Sequence, residues 1–223
     1  MTKVFDTLAE TYDGWYDTPD GRAIFEAERD CLLSLCSGPL NSWLEVGVGT
    51  GRFAHALGIS TGVDPSLMML QKAAGRGIET CVGSAERLPF AEDSFDGVLM
   101  AFTLCFVADA PQALRECRRV LRPGGRLLLG IVPAGSAWGR EYRVKAARGH
   151  AIYRHARFRG VRETIDFAQT AHFALCGTAG TLFWEPGQAA GQQPEIRFHC
   201  GEEAGFLGLL FQNSAEDGMG SLP

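Results

Sequence analysis

The stretch Trp43-Leu44-Glu45-Val46-Gly47-Val48-Gly49-Thr50-Gly51-Arg52-Phe53 leaves this chain few folds to choose from. An apolar run carrying one carboxylate stops at three alternating glycines, and an amphipathic stretch follows. That order predicts a buried parallel strand, a tight turn and the first turn of a helix. Glycine suits such a turn because it adopts φ/ψ values closed to other residues, and because a missing Cβ lets a ligand touch the backbone. The unpaired N–H groups opening the helix face the crevice at the carboxyl ends of the strands, where open α/β sheets bind ligands. A nucleotide-type ligand is expected there.

Spacing narrows the ligand. A dinucleotide fingerprint, G-x-G-x-x-G, fits at Gly47 and Gly49, but its third glycine is replaced by Arg52 and the extra glycine falls one place early, at Gly51. A phosphate-binding P-loop needs Gly-Lys-Ser/Thr after its second glycine, which is missing. An acidic residue two places before G-x-G-x-G resembles motif I of the class I S-adenosylmethionine (SAM)-dependent methyltransferases. The resemblance implies that Glu45, Gly47, Val48, Gly49, Thr50 and Gly51 form the first cofactor segment.

The next strand, over Ile59–Val63, runs into Asp64-Pro65-Ser66. A carboxylate at the end of a second strand can accept both hydroxyls of a ribose, since it offers acceptors and no donors. Asp64 also reads as a helix N-cap with Pro65 at the first helical position, and the two roles are compatible. Met69, one turn further, is placed to lie against an adenine. The segment Gly83-Ser84-Ala85-Glu86-Arg87-Leu88-Pro89-Phe90 closely resembles the family's G-D-A-E-x-L-P-F. There the acid takes the adenine amino group and the next backbone N–H a ring nitrogen. Here Ser84 stands in the acid's place, beside Ala85 and Glu86, and carries no charge. The apolar run Phe95–Phe106 resembles the family's fourth strand, which implies that Ala101, Phe102 and Thr103 border the methyl group. It lacks the Asp/Asn-Pro-Pro-Tyr/Phe of base amino-methylating enzymes and the Pro-Cys of those that form pyrimidine adducts.

Upstream, residues 1–40 resemble the family's N-terminal lid. Tyr12 and Tyr16 are its candidate cofactor contacts, because aromatic faces attract a sulfonium; packing is the competing role. A turn is expected at Pro19-Asp20-Gly21 and a helix from Ile24 to Cys36. Downstream come a third strand, Glu79–Val82, a helix, Pro111–Leu121, the turn Arg122-Pro123-Gly124-Gly125, and a strand from Arg126. Residues 133–180 are expected to form a helical substrate cap. Its basic residues (Arg140, Arg143, Lys145, Arg148, Arg154, Arg157, Arg159 and Arg162) either draw an anionic acceptor or simply face water. A helix over Thr164–Cys176, strands at Thr181–Trp184 and Ala204–Phe211, and a mobile tail at 213–223 complete the reading.

One α/β domain over residues 1–223 is expected, a Rossmann-like doubly wound sheet. Its seven strands are mostly parallel, closed by an antiparallel pair of the sixth and seventh, with helices on both faces. At 223 residues and 46% hydrophobic the chain can bury one full core. Its net charge of -5 speaks against a nucleic-acid partner, and no apolar run reaches the roughly 18 residues of a membrane span. The seven cysteines are scattered without a C-x-x-C, which favours reduced thiols in a cytoplasmic protein over metal ligation. The implied activity is in-line transfer of the SAM methyl group to a small-molecule acceptor, releasing S-adenosylhomocysteine. A SAM-binding regulator without catalysis, or an NAD-dependent oxidoreductase, are the alternatives. In-line transfer rests on alignment and needs no dedicated base, so no catalytic residue is assigned; His150, His155 and His172 are the candidates if a base exists.

Overall fold

The alternation of short apolar strands with amphipathic helices closes into one mixed sheet in the computed structural model, which describes residues 2–188 and 195–214. In chain order the elements are α1 (Thr2–Leu8), α2 (Pro19–Ser34), β1 (Trp43–Val46), α3 (Arg52–Leu57), β2 (Thr61–Asp64), α4 (Leu67–Gly75), β3 (Glu79–Val82) and β4 (Phe95–Ala101). Then follow α5 (Ala110–Val120), β5 (Leu121–Ile131), α6 (Ala137–Ala147), α7 (Val161–Thr170), β6 (Phe173–Thr181), β7 (Arg197–Phe198) and β8 (Phe206–Asn213). The sheet order is β3-β2-β1-β4-β5-β8-β6-β7. The pairs from β3 through β5 are parallel and the remainder antiparallel. The order reverses between β1 and β4, which opens a crevice at the carboxyl ends of those two strands.

Strand residues alternate between the two faces, as the period of two demands. Leu44 and Val46, Val98 and Met100, Leu127 and Leu129 enter one core beneath α5 and α7. Trp43, Leu99 and Leu128 enter the other, beneath α2 and α3. On that second face Gly130 and Gly208 pair across β5 and β8. A Cβ on Gly130 would lie 2.8 Å from Phe206, and one on Gly208 2.9 Å from Leu35, so the bare backbone lets α2 settle onto the sheet.

Several boundaries differ from expectation, each for a local reason. The sheet has eight strands among the described residues, because the two-residue β7 adds an edge. The expected turn at Pro19–Gly21 is the first turn of α2. Thr18 caps it by accepting the Gly21 N–H (3.1 Å), and Gly21 is glycine because a Cβ would lie 2.0 Å from the Trp15 carbonyl. The helix expected over Thr164–Cys176 ends at Thr170, and its second half is β6. The signal taken for a stop was Gly177, but the left-handed terminus falls on His172 (φ 61°), a residue that does not announce it. The strand expected at Thr181–Trp184 is therefore displaced, with Leu182 (φ 61°) leaving β6. The cap accordingly narrows to roughly the segment between β5 and α7, since α7 packs on the sheet with α5. The tail begins beyond β8, which runs through Asn213; residues 215–223 lie outside the described residues.

Trp43 seals the amino-terminal end of the crevice strands. A Cβ on Gly97, its neighbour across β1 and β4, would lie 2.1 Å from the Trp43 ring. Gly97→Ala is expected to lower stability by about 1–3 kcal/mol through overpacking. Urea unfolding followed at several probes measures it, with an unchanged slope if the fold is retained.

Candidate functional site

The glycine turn closes on β2. The N–H groups of Gly47 and Val48 both donate to the Val63 carbonyl, at 2.8 and 3.0 Å. Gly47 (φ 73°) and Gly49 (φ 51°) are left-handed, for different ends. A Cβ on Gly47 would collide with the Thr103 side chain at 2.3 Å, so this glycine admits the loop after β4. A Cβ on Gly49 would meet nothing within 4 Å, because that side of the turn faces open cavity. Val48, Thr50 and Gly51 turn away from the cavity. Val48 packs on Gly62, Thr50 is buried, and Gly51 sits against Ala73. Glu45 is buried at 2% exposure and faces the Ala54 N–H in the first turn of α3, whose N-cap Gly51 has no side chain to do so. Burial pushes its carboxyl well above the ordinary range.

Asp64 joins the turn to the next helix. Its Oδ2 accepts the Gly49 N–H at 3.0 Å and its Oδ1 the Ser66 N–H at 2.8 Å. Burial raises the Asp64 carboxyl above its usual value, although both backbone donors pull it down. Asp64 is not the helix cap. Ser66 is, its Oγ accepting the Met69 N–H at 3.2 Å, and Pro65 therefore precedes the helix instead of opening it. Fully buried Ser66 also donates to Asp6 (2.6 Å) and does not reach the cavity.

One cavity of about 560 Å³ runs along the carboxyl ends of the strands. Gly47, Gly49, Asp64, Pro65 and Met69 form one end; Ser84, Ala85 and Glu86 form a wall; Ala101, Phe102 and Thr103 form the floor. The Glu86 carboxylate accepts the Ala108 N–H at 2.9 Å and so ties that wall to the loop after β4. Phe102 takes a left-handed conformation (φ 56°) rare for a non-glycine residue, which turns the chain out of β4. Its ring is held between Phe53 (5.8 Å) and Phe206 (5.0 Å). Thr103 then donates to the Ala101 carbonyl at 3.0 Å.

The amino-terminal segment lies across this cavity and contributes Phe5 and Tyr12. Phe5 packs edge-on against Phe106 at 5.3 Å. Tyr16 is not among the lining residues; it stands behind Tyr12, 6.3 Å away, beneath the Arg52 guanidinium at 4.9 Å. Four polar contacts clasp the segment to the Rossmann half: Asp6 to Ser66, Glu10 to Lys72, Asp17 to Arg52, and a junction at Asp13. Asp13 accepts from Thr50 Oγ1 (2.9 Å), Arg52 Nε (3.2 Å) and Arg76 Nη2 (2.7 Å). Burial alone would raise its carboxyl, but the bonds from Arg76 and Thr50 prevail and hold it below 3.8. Arg52, the residue that breaks the dinucleotide spacing, is thus an anchor for the lid.

The cap contributes two exposed residues, His155 and Arg157. The rest of the basic run divides. Lys145 pairs with Glu141 and Arg162 with Asp166, both on exposed helix faces. Arg159 is buried at 7% exposure and donates to the Leu104 carbonyl at 2.6 Å, fastening the cap to the end of β4. His155 Nε2 accepts from Arg154 (3.0 Å), while His150 stacks on Tyr153 and His172 lies at the end of α7. Tyr12, Phe5, Phe106 and Arg157 are among the lining residues that motif reading left out or left undecided. The aromatic density of residues 5–16 signalled the first two and the basic run the last. All seven cysteines are free thiols, and among the described residues no His, Cys, Asp or Glu group could hold a metal ion.

This donor set fits a SAM molecule: a buried carboxylate beside two left-handed glycines, an apolar wall at Met69, and a polar segment at Ser84–Glu86. Comparison with known proteins agrees. Residues 44–129 match the family described as "Methyltransferase domain". An uncharacterized protein of Mycobacterium tuberculosis is 42% identical over 181 residues, or 81% of this chain, which spans 64% of that relative's length. An uncharacterized protein of Methanocaldococcus jannaschii is 35% identical over 82% of this chain and 86% of its own. The crystal structure of a SAM-dependent methyltransferase from Thermotoga maritima, described as a possible histamine N-methyltransferase, superposes with a TM-score of 0.88. It is 33% identical, over 96% of this chain and 99% of that one. The chain belongs to the class I S-adenosylmethionine-dependent methyltransferases.

Proposed function

We propose that the protein transfers the methyl group of SAM to a small-molecule acceptor by in-line displacement, releasing S-adenosylhomocysteine. The observation that carries this reading is the single cavity that joins Asp64 to Phe102 and Thr103 under one lid. When bound, SAM supplies a methyl carbon already activated by its sulfonium. Asp64 keeps lone pairs free for a ribose diol after accepting its two backbone bonds. Ser84 and the Ala85 N–H serve an adenine edge, with Met69 against its face. Gly49 gives close approach to the backbone, and Ala101–Thr103 border the methyl group. Glu45, Thr50 and Ser66 act from behind, by fixing the turn and the lid.

The remaining work of the chain is alignment and exclusion of water. Phe5 and Tyr12 supply an apolar roof held by the Asp13 junction. No dedicated base is assigned: His155 is the one cavity-lining histidine among the described residues, and Arg154 occupies its accepting nitrogen. An attraction for anionic acceptors rests on Arg157 alone, the other cap arginines being paired or turned elsewhere. The Thermotoga protein's description makes a small amine the first acceptor class to test. Seven free thiols support a reducing, cytoplasmic setting.

Calorimetry with S-adenosylhomocysteine tests the cofactor site. Asp64→Ala is expected to weaken binding by roughly 10- to 100-fold, the equivalent of charge-assisted hydrogen bonds. Equal affinity in the variant would remove Asp64 from the site. Asp13→Asn is expected to speed ligand release measured by stopped flow, because it weakens the ion pairs that fix the lid. The sign of its pH dependence follows from the lowered carboxyl. The contribution of Asp13 is present above pH 3.8 and is lost as pH falls through its folded value. The stability gap between wild type and Asp13→Asn should therefore close in that acid range and stay constant near neutrality.

A further inference from the structure

The four tyrosines of this chain fall in two pairs: Tyr12, which lines the cavity, with Tyr16 behind it, and Tyr142 with Tyr153. Tyr142 stacks on Tyr153 with ring centroids 4.4 Å apart, and Phe158 lies 5.9 and 6.2 Å from the two. Tyr12 lines the cavity and stands 6.3 Å from Tyr16, which packs edge-on on Phe25 of α2 at 5.8 Å, and Tyr142 and Phe158 pack against the same core as the inner face of α2.

A carboxylate stands on the helix that shares a core with these rings. Glu28 is on the inner face of α2, 4% exposed, and its Oε2 is sealed from solvent without a hydrogen-bond partner. The other inward residues of that helix, Ile24, Ala27, Cys31 and Leu32, are apolar. A leucine at 28 would pack there without electrostatic cost, so packing does not explain the carboxylate. Burial raises the phenols of Tyr16, Tyr142 and Tyr153, and an ionised Glu28 would raise each of them further. No arginine, lysine or histidine offsets it. Burial alone sets its titration and pushes the carboxyl well above the ordinary range. Arg157, exposed on the cavity wall, does not contribute to it.

A buried carboxylate with one oxygen left unpartnered, on a helix that packs with aromatic rings, suits a cationic nitrogen. We propose that Glu28, with Tyr16, Tyr142 and Tyr153, forms the subsite that holds a protonated amino group of the acceptor, apart from the atom that is methylated. The proposal rests on the reading of the neighbouring cavity as the cofactor and acceptor site. It predicts a linked proton. Burial favours the neutral carboxyl of Glu28 and an entering ammonium ion favours the carboxylate, so binding releases to solvent whatever share of the proton Glu28 holds. The groups facing Glu28 (Tyr16, Tyr142, Tyr153 and Cys31) all have raised values and keep theirs near neutrality.

The test is a calorimetric titration of the protein, saturated with S-adenosylhomocysteine, with benzylamine, benzyl alcohol and benzoate. Benzylamine is expected to bind at least tenfold more tightly than the other two, with an enthalpy that varies with the ionisation heat of the buffer. Glu28→Gln keeps the shape of the protonated carboxyl and should weaken benzylamine alone by at least tenfold. Tyr153→Leu, which leaves the carboxylate in place, should weaken it as well. Unchanged S-adenosylhomocysteine affinity in both variants certifies their folding. Equal binding of the three probes, tighter binding of benzoate, no benzylamine binding, or indifference to Glu28→Gln each overturns the proposal. Loss of S-adenosylhomocysteine binding in the wild type would instead bring down the cofactor reading, and benzylamine titrated into the free protein would still decide the role of Glu28.

Discussion

The meeting of the Gly49 and Ser66 N–H groups on the Asp64 carboxylate fixes the site more than any other contact. A carboxylate at the end of a strand has no partner within the sheet. Here it takes one donor from the glycine turn after β1 and one from the start of α4. The two loops are thereby held at one separation, and the separation is the width of the cavity. Because the acceptor is charged, each bond is worth more than a neutral one, and burial deepens the dependence of both loops on it. The arrangement also explains why Ser66, not Asp64, caps α4. A side chain bonding across to Gly49 is not free to reach the N–H of Met69, and Ser66 takes that part.

The lid repeats the same principle with longer reach. Phe5, Ala9 and Tyr16 give the amino-terminal segment apolar packing, and acidic groups placed opposite cations of the Rossmann half add to that hold. At Asp13 those contacts converge, with Thr50, Arg52 and Arg76 on one carboxylate. Part-buried ion pairs of this kind exchange with water more readily than packed side chains do, which suits a segment that must open for ligand exchange.

The strands and the glycine turn were legible in sequence because their signals are local. Three glycines at alternate places can serve few backbones, and the limits of β3 coincide with expectation to the residue. The legible part ends where the deciding contact is distant. Gly21 looks like a turn residue until Trp15 is seen against it, and His172 takes a left-handed terminus for which sequence reserves glycine or asparagine. The site divides in the same way. Asp64, Ser84–Glu86 and Ala101–Thr103 sit on motifs at strand ends and line the cavity. Glu45, Thr50 and Ser66 belong to the same motifs but face inward, since a motif records spacing and not the direction of a side chain. Arg52 shows the limit most clearly. By sequence it only excluded a dinucleotide, whereas in the fold it anchors the lid through Asp13 and Asp17.

The proposed amine subsite has no motif because its parts come from four separate places in the chain: α2, the amino-terminal segment, α6 and the turn before Phe158. Glu28 in an amphipathic helix reads as one more solvated acid, and nothing in its neighbours says that α2 turns it inward. Burial changes its meaning. A carboxylate at the surface is explained by water, while one buried on a helix that packs with aromatic rings, with an oxygen left unpartnered, is suited by either a proton or a visiting cation. The two buried carboxylates differ in kind: Asp64 is held by two fixed backbone donors, whereas Glu28 keeps an oxygen without a partner, and the proposed amine subsite rests on that difference.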